Sequence, residues 1–318
     1  MAHVRRWGLW SLLLAFVACW IGVQASLPST RAWDCLEASN DIDAPCWRLK
    51  PDCDGLFEGF GRPHAATPYT TNALGFRGTL PNQADPPTRR IGVLGASTLF
   101  GYGVTDTQTW RVHAQKQVDR QPERERIRWL NLAVAGYDLR KQIARADHHR
   151  KRGVDGFIFV VDVPLLGELD CRSWWRTQSP AARLIAPLRW WYLRDALKMS
   201  RPDTAQVEAA LRRLVDWRRN HPDVDVWLAV LAPLGDKSSH QQQVANVNSS
   251  GVRVLDLSDR LAMTDPGRNP AAADYLLDNE EGWNAKGHDM LGRALADVWM
   301  ADVAALAAAT TATGKGDR

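Results

Sequence analysis

Ile91–Val104 reads IGVLGASTLFGYGV, and the rest of the chain is organised around it. Ile91, Val93 and Leu94 form a short apolar run that breaks at Gly95. A small residue and a hydroxyl follow, Ala96 and Ser97, before the chain returns through Gly101 and Gly103. A buried parallel strand that ends in a tight turn delivers its last residues to the carboxyl edge of a sheet, where α/β proteins place their chemistry. Ser97 therefore stands where a nucleophile would stand.

Outward from this run, strands and helices alternate. A helix is predicted over Thr109–Val118, and a second strand over Ile127–Val134 ends in Ala135-Gly136-Tyr137. The helix Leu139–Arg152 and the strand Gly156–Val161 follow. In Gln206–Asn220, Val207, Leu211 and Leu214 recur at helical spacing and make one buried face. Val224–Leu231 and Gly251–Leu257 read as further strands, with a short helix at Gln241–Val247 between them. A last helix runs over Ala285–Leu306, with Asn284 as its N-cap. Each parallel crossover needs a helix to cover one face, so the pattern predicts an α/β fold with a doubly wound parallel sheet.

Four blocks then align with a known family. Gly95-Ala96-Ser97 is similar to the first block of the SGNH hydrolases, the GDSL-type esterases and lipases. Asn131–Gly136 resembles their second block, and Trp283-Asn284-Ala285-Lys286-Gly287-His288 resembles the end of their last. Tyr69–Gly78 resembles a segment that precedes the first block in bacterial exported members, expected to pack Leu74 and Phe76 onto the sheet edge. The resemblance runs from about Tyr69 to Leu306 and implies a three-layer α/β/α sandwich. It also implies Ser97 as nucleophile, with the N–H groups of Ser97 and Gly136 stabilising the oxyanion.

The same alignment shows departures. Ala96 replaces an aspartate whose family role is mostly structural. Asp162 and Pro164 occupy the positions of the third block's glycine and asparagine, and neither can donate a hydrogen bond to an oxyanion. In the last block Glu280 stands at the acid and Gly282 at the catalytic histidine. Glycine cannot take a proton from Ser97, and an unactivated hydroxyl is a weak nucleophile. Two readings stay open. In one, the chain is an esterase or deacetylase acting on an acylated small molecule or polysaccharide, with His288 and Glu280 as a rearranged base. In the other, it is a degenerate relative that binds a glycan or a protein. His64, His113, His148 and His149 read as surface or helix residues.

The 318 residues carry a net charge of only +4 and no long block of like charge, which argues against a nucleic-acid partner. No cofactor is expected. Arg5 and Arg6 precede an uncharged apolar run, Trp7–Val23, as in an export signal over residues 1–25. Val23-Gln24-Ala25 suits cleavage, while the length of the run also suits retention as a membrane anchor. Cys19 sits in a poor lipidation context. Past it, Cys35, Cys46, Cys53 and Cys171 suggest two disulfides in an oxidising compartment, with three pairings open. Zinc is disfavoured, because no histidine accompanies the cysteines. Residues 26–68 form a Cys-containing N-terminal extension in which Ala32–Gly55 reads as loop-rich, 166–222 reads as a helical insertion, and 307–318 as a disordered tail. The insertion's tryptophans (Trp174, Trp175, Trp190, Trp191) suit either core packing or a lid for a sugar polymer.

Overall fold

The computed structural model describes residues 15–19, 35–39, 46–57, 67–79, 89–121, 126–161, 204–232, 237–262, 274–276 and 283–313. Asp162, Pro164, Cys171, Glu280, Gly282, and the insertion up to 203 lie outside the described residues, as does most of the N-terminal apolar run.

A five-stranded parallel sheet forms the centre. Its strands are β5 (Arg89–Leu94), β6 (Ile127–Asn131), β7 (Gly156–Val161), β8 (Asp225–Val230) and β9 (Arg253–Asp256). They lie in the order β6-β5-β7-β8-β9, and all four pairings are parallel. The chain steps from β5 outward to β6 and then recrosses to β7 on the other side of β5. In open α/β sheets the crevice beyond the carboxyl ends at such a reversal is where ligands bind. Ser97 follows the strand at this reversal.

Strand alternation sorts the core into two faces. Ile91, Val93, Trp129, Ile158, Val160, Trp227 and Ala229 point one way, against α2 (Trp110–Asp119) and α6 (Ala285–Thr313). Leu94, Leu130, Phe157, Phe159, Val161 and Leu228 point the other way. There they meet α3 (Leu139–Arg150), α4 (Thr204–Asn220) and α5 (Lys237–Asn248). The expected three-layer α/β/α sandwich with a doubly wound parallel sheet is the observed architecture. Trp110, Trp129, Trp227 and Trp299 form a chain of edge-on and tilted ring contacts, so these tryptophans fill core. The free edge of β6 is covered by Gln115, whose side-chain amide donates to Ile127 O and accepts from Trp129 N–H.

The N-terminal extension differs from the loop-rich expectation. β1 (Leu36–Ser39) pairs antiparallel with β2 (Cys46–Leu49), and β3 (Asp54–Phe57) pairs antiparallel with β4 (Thr67–Thr70). Leu36, Trp47, Leu49 and Tyr69 are buried against the main core, so these short hairpins gain stability from the domain they cover. A disulfide joins Cys35 to Cys53 across them. Phe76 is buried as expected, but Leu74 is exposed: Asn72 Oδ1 accepts the N–H of Leu74 in an Asx turn whose tip faces solvent. α6 also continues to Thr313, past the expected boundary, because Ala307–Ala309 are strong helix formers. No described helix is long and apolar enough to cross a membrane.

Candidate active site

β5 ends at Leu94, Gly95 turns the chain, and Ser97 opens a single helical turn, α1 (Ser97–Phe100). A Cβ on Gly95 would lie 2.8 Å from Leu99 Cγ, so only glycine lets the turn close this tightly. One turn of helix has little stability of its own, and its terminal carbonyls have no intrahelical partner. Three side chains supply donors. Trp110 Nε1 donates to Leu99 O at 2.7 Å, and Asn131 Nδ2 donates to the same oxygen at 3.1 Å. Arg77 donates to Phe100 O at 2.9 Å, to Val104 O at 2.6 Å, and to Gly101 O. Its remaining Nε–H meets Asp106 Oδ1 at 2.7 Å. The guanidinium is buried, which lowers its pKa from the usual arginine value, while Asp106 opposes that shift. The segment resembling a block upstream of Ser97 is therefore the clamp on the serine turn.

Past β6 the backbone keeps following β5. Leu132 N–H donates to Val93 O at 2.9 Å, and Val134 N–H donates to Gly95 O at 3.1 Å. Two residues beyond each partner of that last bond stand Gly136 and Ser97. The structure thus brings these two expected residues to neighbouring turns at the carboxyl edge. Gly136 has φ of 72°, a left-handed conformation that glycine adopts without strain. Asn131 is buried, and its Oδ1 accepts Ala133 N–H at 3.2 Å, so its amide shapes both turns.

His288 does not join them. It is fully buried near the start of α6, and its Nδ1 accepts the N–H of Trp110, the first residue of α2, at 3.3 Å. With Nδ1 accepting, the proton of the neutral ring sits on Nε2, which finds no partner among the described residues. Burial, with lesser contributions from the Arg77 and His113 charges, lowers its pKa from 6.5 to about 3. This imidazole joins two helix ends and does not hydrogen-bond Ser97. The rest of the motif is also structural. Asn284 Oδ1 caps α6 through the N–H groups of Lys286 and Gly287, and its Nδ2 holds Asp274 O and Leu276 O. A Cβ on Gly287 would lie 2.5 Å from Tyr275 O, so the glycine permits that close approach.

The other described histidines are placed elsewhere. His113 pairs with Asp289, His221 with Asp147, and His240 with Asp256. His148 and His149 end α3, which carries them to the amino edge of the sheet, opposite Ser97. Among the described residues, no imidazole hydrogen-bonds the Ser97 hydroxyl. Nor is any group of three His, Cys, Asp or Glu side chains placed there to hold a metal ion. Sequence reasoning missed Arg77, whose role depends on contacts with distant segments.

No family model matches the chain, and no curated protein matches it by sequence. Several solved structures are similar in fold. An α/β hydrolase, LAE5, from the metagenome of Lake Arreo is 17% identical, covering 66% of this chain and 94% of its own, with a TM-score of 0.42. The acetylxylan esterase Axe2 of Geobacillus stearothermophilus, as a catalytic mutant, is 16% identical over 66% of this chain and 93% of its own, with a TM-score of 0.41. A lipolytic G-D-S-L family protein of Veillonella parvula is 12% identical over 67% and 99%, with a TM-score of 0.43. At these identities and TM-scores the likenesses carry no inference about chemistry.

Proposed function

We propose that the chain is an SGNH-type ester-bond hydrolase that removes acyl groups from a small molecule or polysaccharide, with Ser97 as its nucleophile. The observation that carries this reading is the bond from Val134 N–H to Gly95 O, which sets the Gly136 turn beside the Ser97 turn. In the proposed step, Ser97 Oγ attacks the acyl carbonyl as its proton passes to water, and the Ser97 and Gly136 N–H groups stabilise the oxyanion. Collapse of that intermediate breaks the ester C–O bond and expels the alcohol, which takes its proton from water. A second water then attacks the serine ester, releasing the acid and returning the proton to Ser97 Oγ. Turnover is slow in this reading. Proline at the third-block position removes a donor typically worth about a hundred- to a thousandfold in rate. No described imidazole relieves Ser97 of its proton. We also propose export, with the N-terminal apolar segment as signal or anchor, supported by the Cys35–Cys53 disulfide.

A second reading is favoured by one observation, the commitment of His288 to Trp110. In it the cleft binds an acylated glycan or a protein partner without turnover. Fluorophosphonate labelling of the purified mature chain separates the two. Slow labelling and weak hydrolysis of acetyl esters, both abolished by Ser97→Ala, support the hydrolase. No labelling at millimolar probe over hours, together with no Ser97-dependent hydrolysis, leaves the binding reading.

A further inference from the structure

Trp47 lies on β2 of the N-terminal extension and is buried. Its Nε1–H donates to Ala135 O at 2.9 Å, and its own carbonyl accepts from the Tyr137 hydroxyl at 2.6 Å. The residue before Gly136 and the residue after it are therefore both held by one distant side chain and its backbone. The Trp47 and Tyr137 rings meet edge-on, with centroids 6.0 Å apart. Lys141 Nζ stands 5.6 Å from the Trp47 ring centroid and pairs with Asp138, whose carboxylate caps the first turn of α3.

The carbonyl of Ala135 and the N–H of Gly136 belong to the same peptide unit. That unit is planar and trans, so the two groups point in opposite directions and turn together. Fixing the direction of Ala135 O fixes the direction of Gly136 N–H. We infer that Trp47 is a positioning residue for the oxyanion: its indole N–H sets the Ala135–Gly136 peptide so that the Gly136 N–H faces the Ser97 turn. The N-terminal extension then belongs to the catalytic unit, with Cys35–Cys53 fastening the segment that carries Trp47. The inference rests on the esterase reading.

Trp47→Phe tests it, because the ring stays while the N–H is lost. Tyr137→Phe is the companion variant, keeping its ring while losing the hydroxyl bond. An oxyanion donor acts in the transition state, so misaiming it lowers kcat and leaves KM unchanged. The expected loss is about ten- to a hundredfold in Ser97-dependent acetyl-ester turnover. Gly136 amide hydrogen exchange, followed by NMR, should speed up in Trp47→Phe while that of Ile158 in β7 does not. Unchanged kcat, or kcat and KM shifting only in step with a lowered Tm, overturns the inference. If the parent protein shows no Ser97-dependent turnover, the esterase reading has failed by itself. The exchange rate then decides whether Trp47 sets the peptide, and an unchanged Gly136 amide overturns that too.

Discussion

The N–H of Trp110 donates to Nδ1 of His288 at 3.3 Å, so a residue in the first turn of α6 closes the first turn of α2. The two helices share one face of the sheet, and the bond joins them at the carboxyl edge. A histidine that the sequence offers as a base is thereby a neutral hydrogen-bond acceptor in the core.

Acid should destabilise the fold through this residue. Burial holds the His288 pKa at about 3 in the folded chain, against 6.5 for an exposed histidine. Between those values the unfolded chain binds a proton that the folded chain does not, so stability rises with pH through this window and is lost on acidification. One such group contributes up to about 1.4 kcal/mol per pH unit. His149, lowered well below 6.5 by burial, acts with the same sign. Urea midpoints should fall between pH 7 and pH 5, and His288→Asn, which keeps an acceptor for Trp110 without titrating, should flatten the dependence. A midpoint that does not move over this range would refute the assignment.

Arg77→Met should cost about 3–5 kcal/mol of stability, because it removes a buried guanidinium's bonds to three carbonyls and its ion pair with Asp106 at once. Arg77→Lys keeps the charge but loses the planar fork, and should recover less than half of that. Denaturant melts of both variants check the order. Ser97 labelling should fall in parallel, since the same carbonyls shape its turn.

Lys141 and Asp138 form a buried ion pair beside the Gly136 loop. Lys141→Met alone removes the cation paired with a buried carboxylate and should cost about 3–5 kcal/mol. Adding Asp138→Asn removes that charge while keeping a good N-cap for α3, so the double variant should regain most of the loss. Additive losses in the double-mutant cycle would show that the two side chains are not coupled.

Cys35→Ala with Cys53→Ala should lower stability by about 3 kcal/mol, the loop-closure value for a crosslink spanning 18 residues. Limited proteolysis should then cut the hairpins before the parallel sheet. Equal protection of the two regions would mean that the extension is held by its packing and not by the crosslink.

The regular elements of the parallel sheet and its covering helices were legible in the chain because their signals are local. The short hairpins β1–β4, which take their stability from the domain they cover, were not. The apolar runs of β5, β7 and β8 and the spacing of Val207, Leu211 and Leu214 in α4 respond to near neighbours, and the observed bounds differ from the expected ones by a residue or a few. The alternation of strands and helices likewise carried the parallel sheet. The motif Trp283–His288 was visible as a pattern, but its use was not. Whether an imidazole faces a hydroxyl or a helix end depends on which elements meet across the sheet.

Local pattern was enough for the layering, the parallel strands and the serine at the end of β5, since periodicity and turn residues act within a few positions of one another. That His288 serves Trp110, that Arg77 clamps the serine turn and that Trp47 bonds the Ala135 carbonyl came from packing alone. Trp110 precedes His288 by 178 residues and Trp47 precedes Ala135 by 88, and no local preference encodes a partner so far along the chain. Such pairs exist because buried donors and acceptors must be satisfied wherever packing happens to bring them.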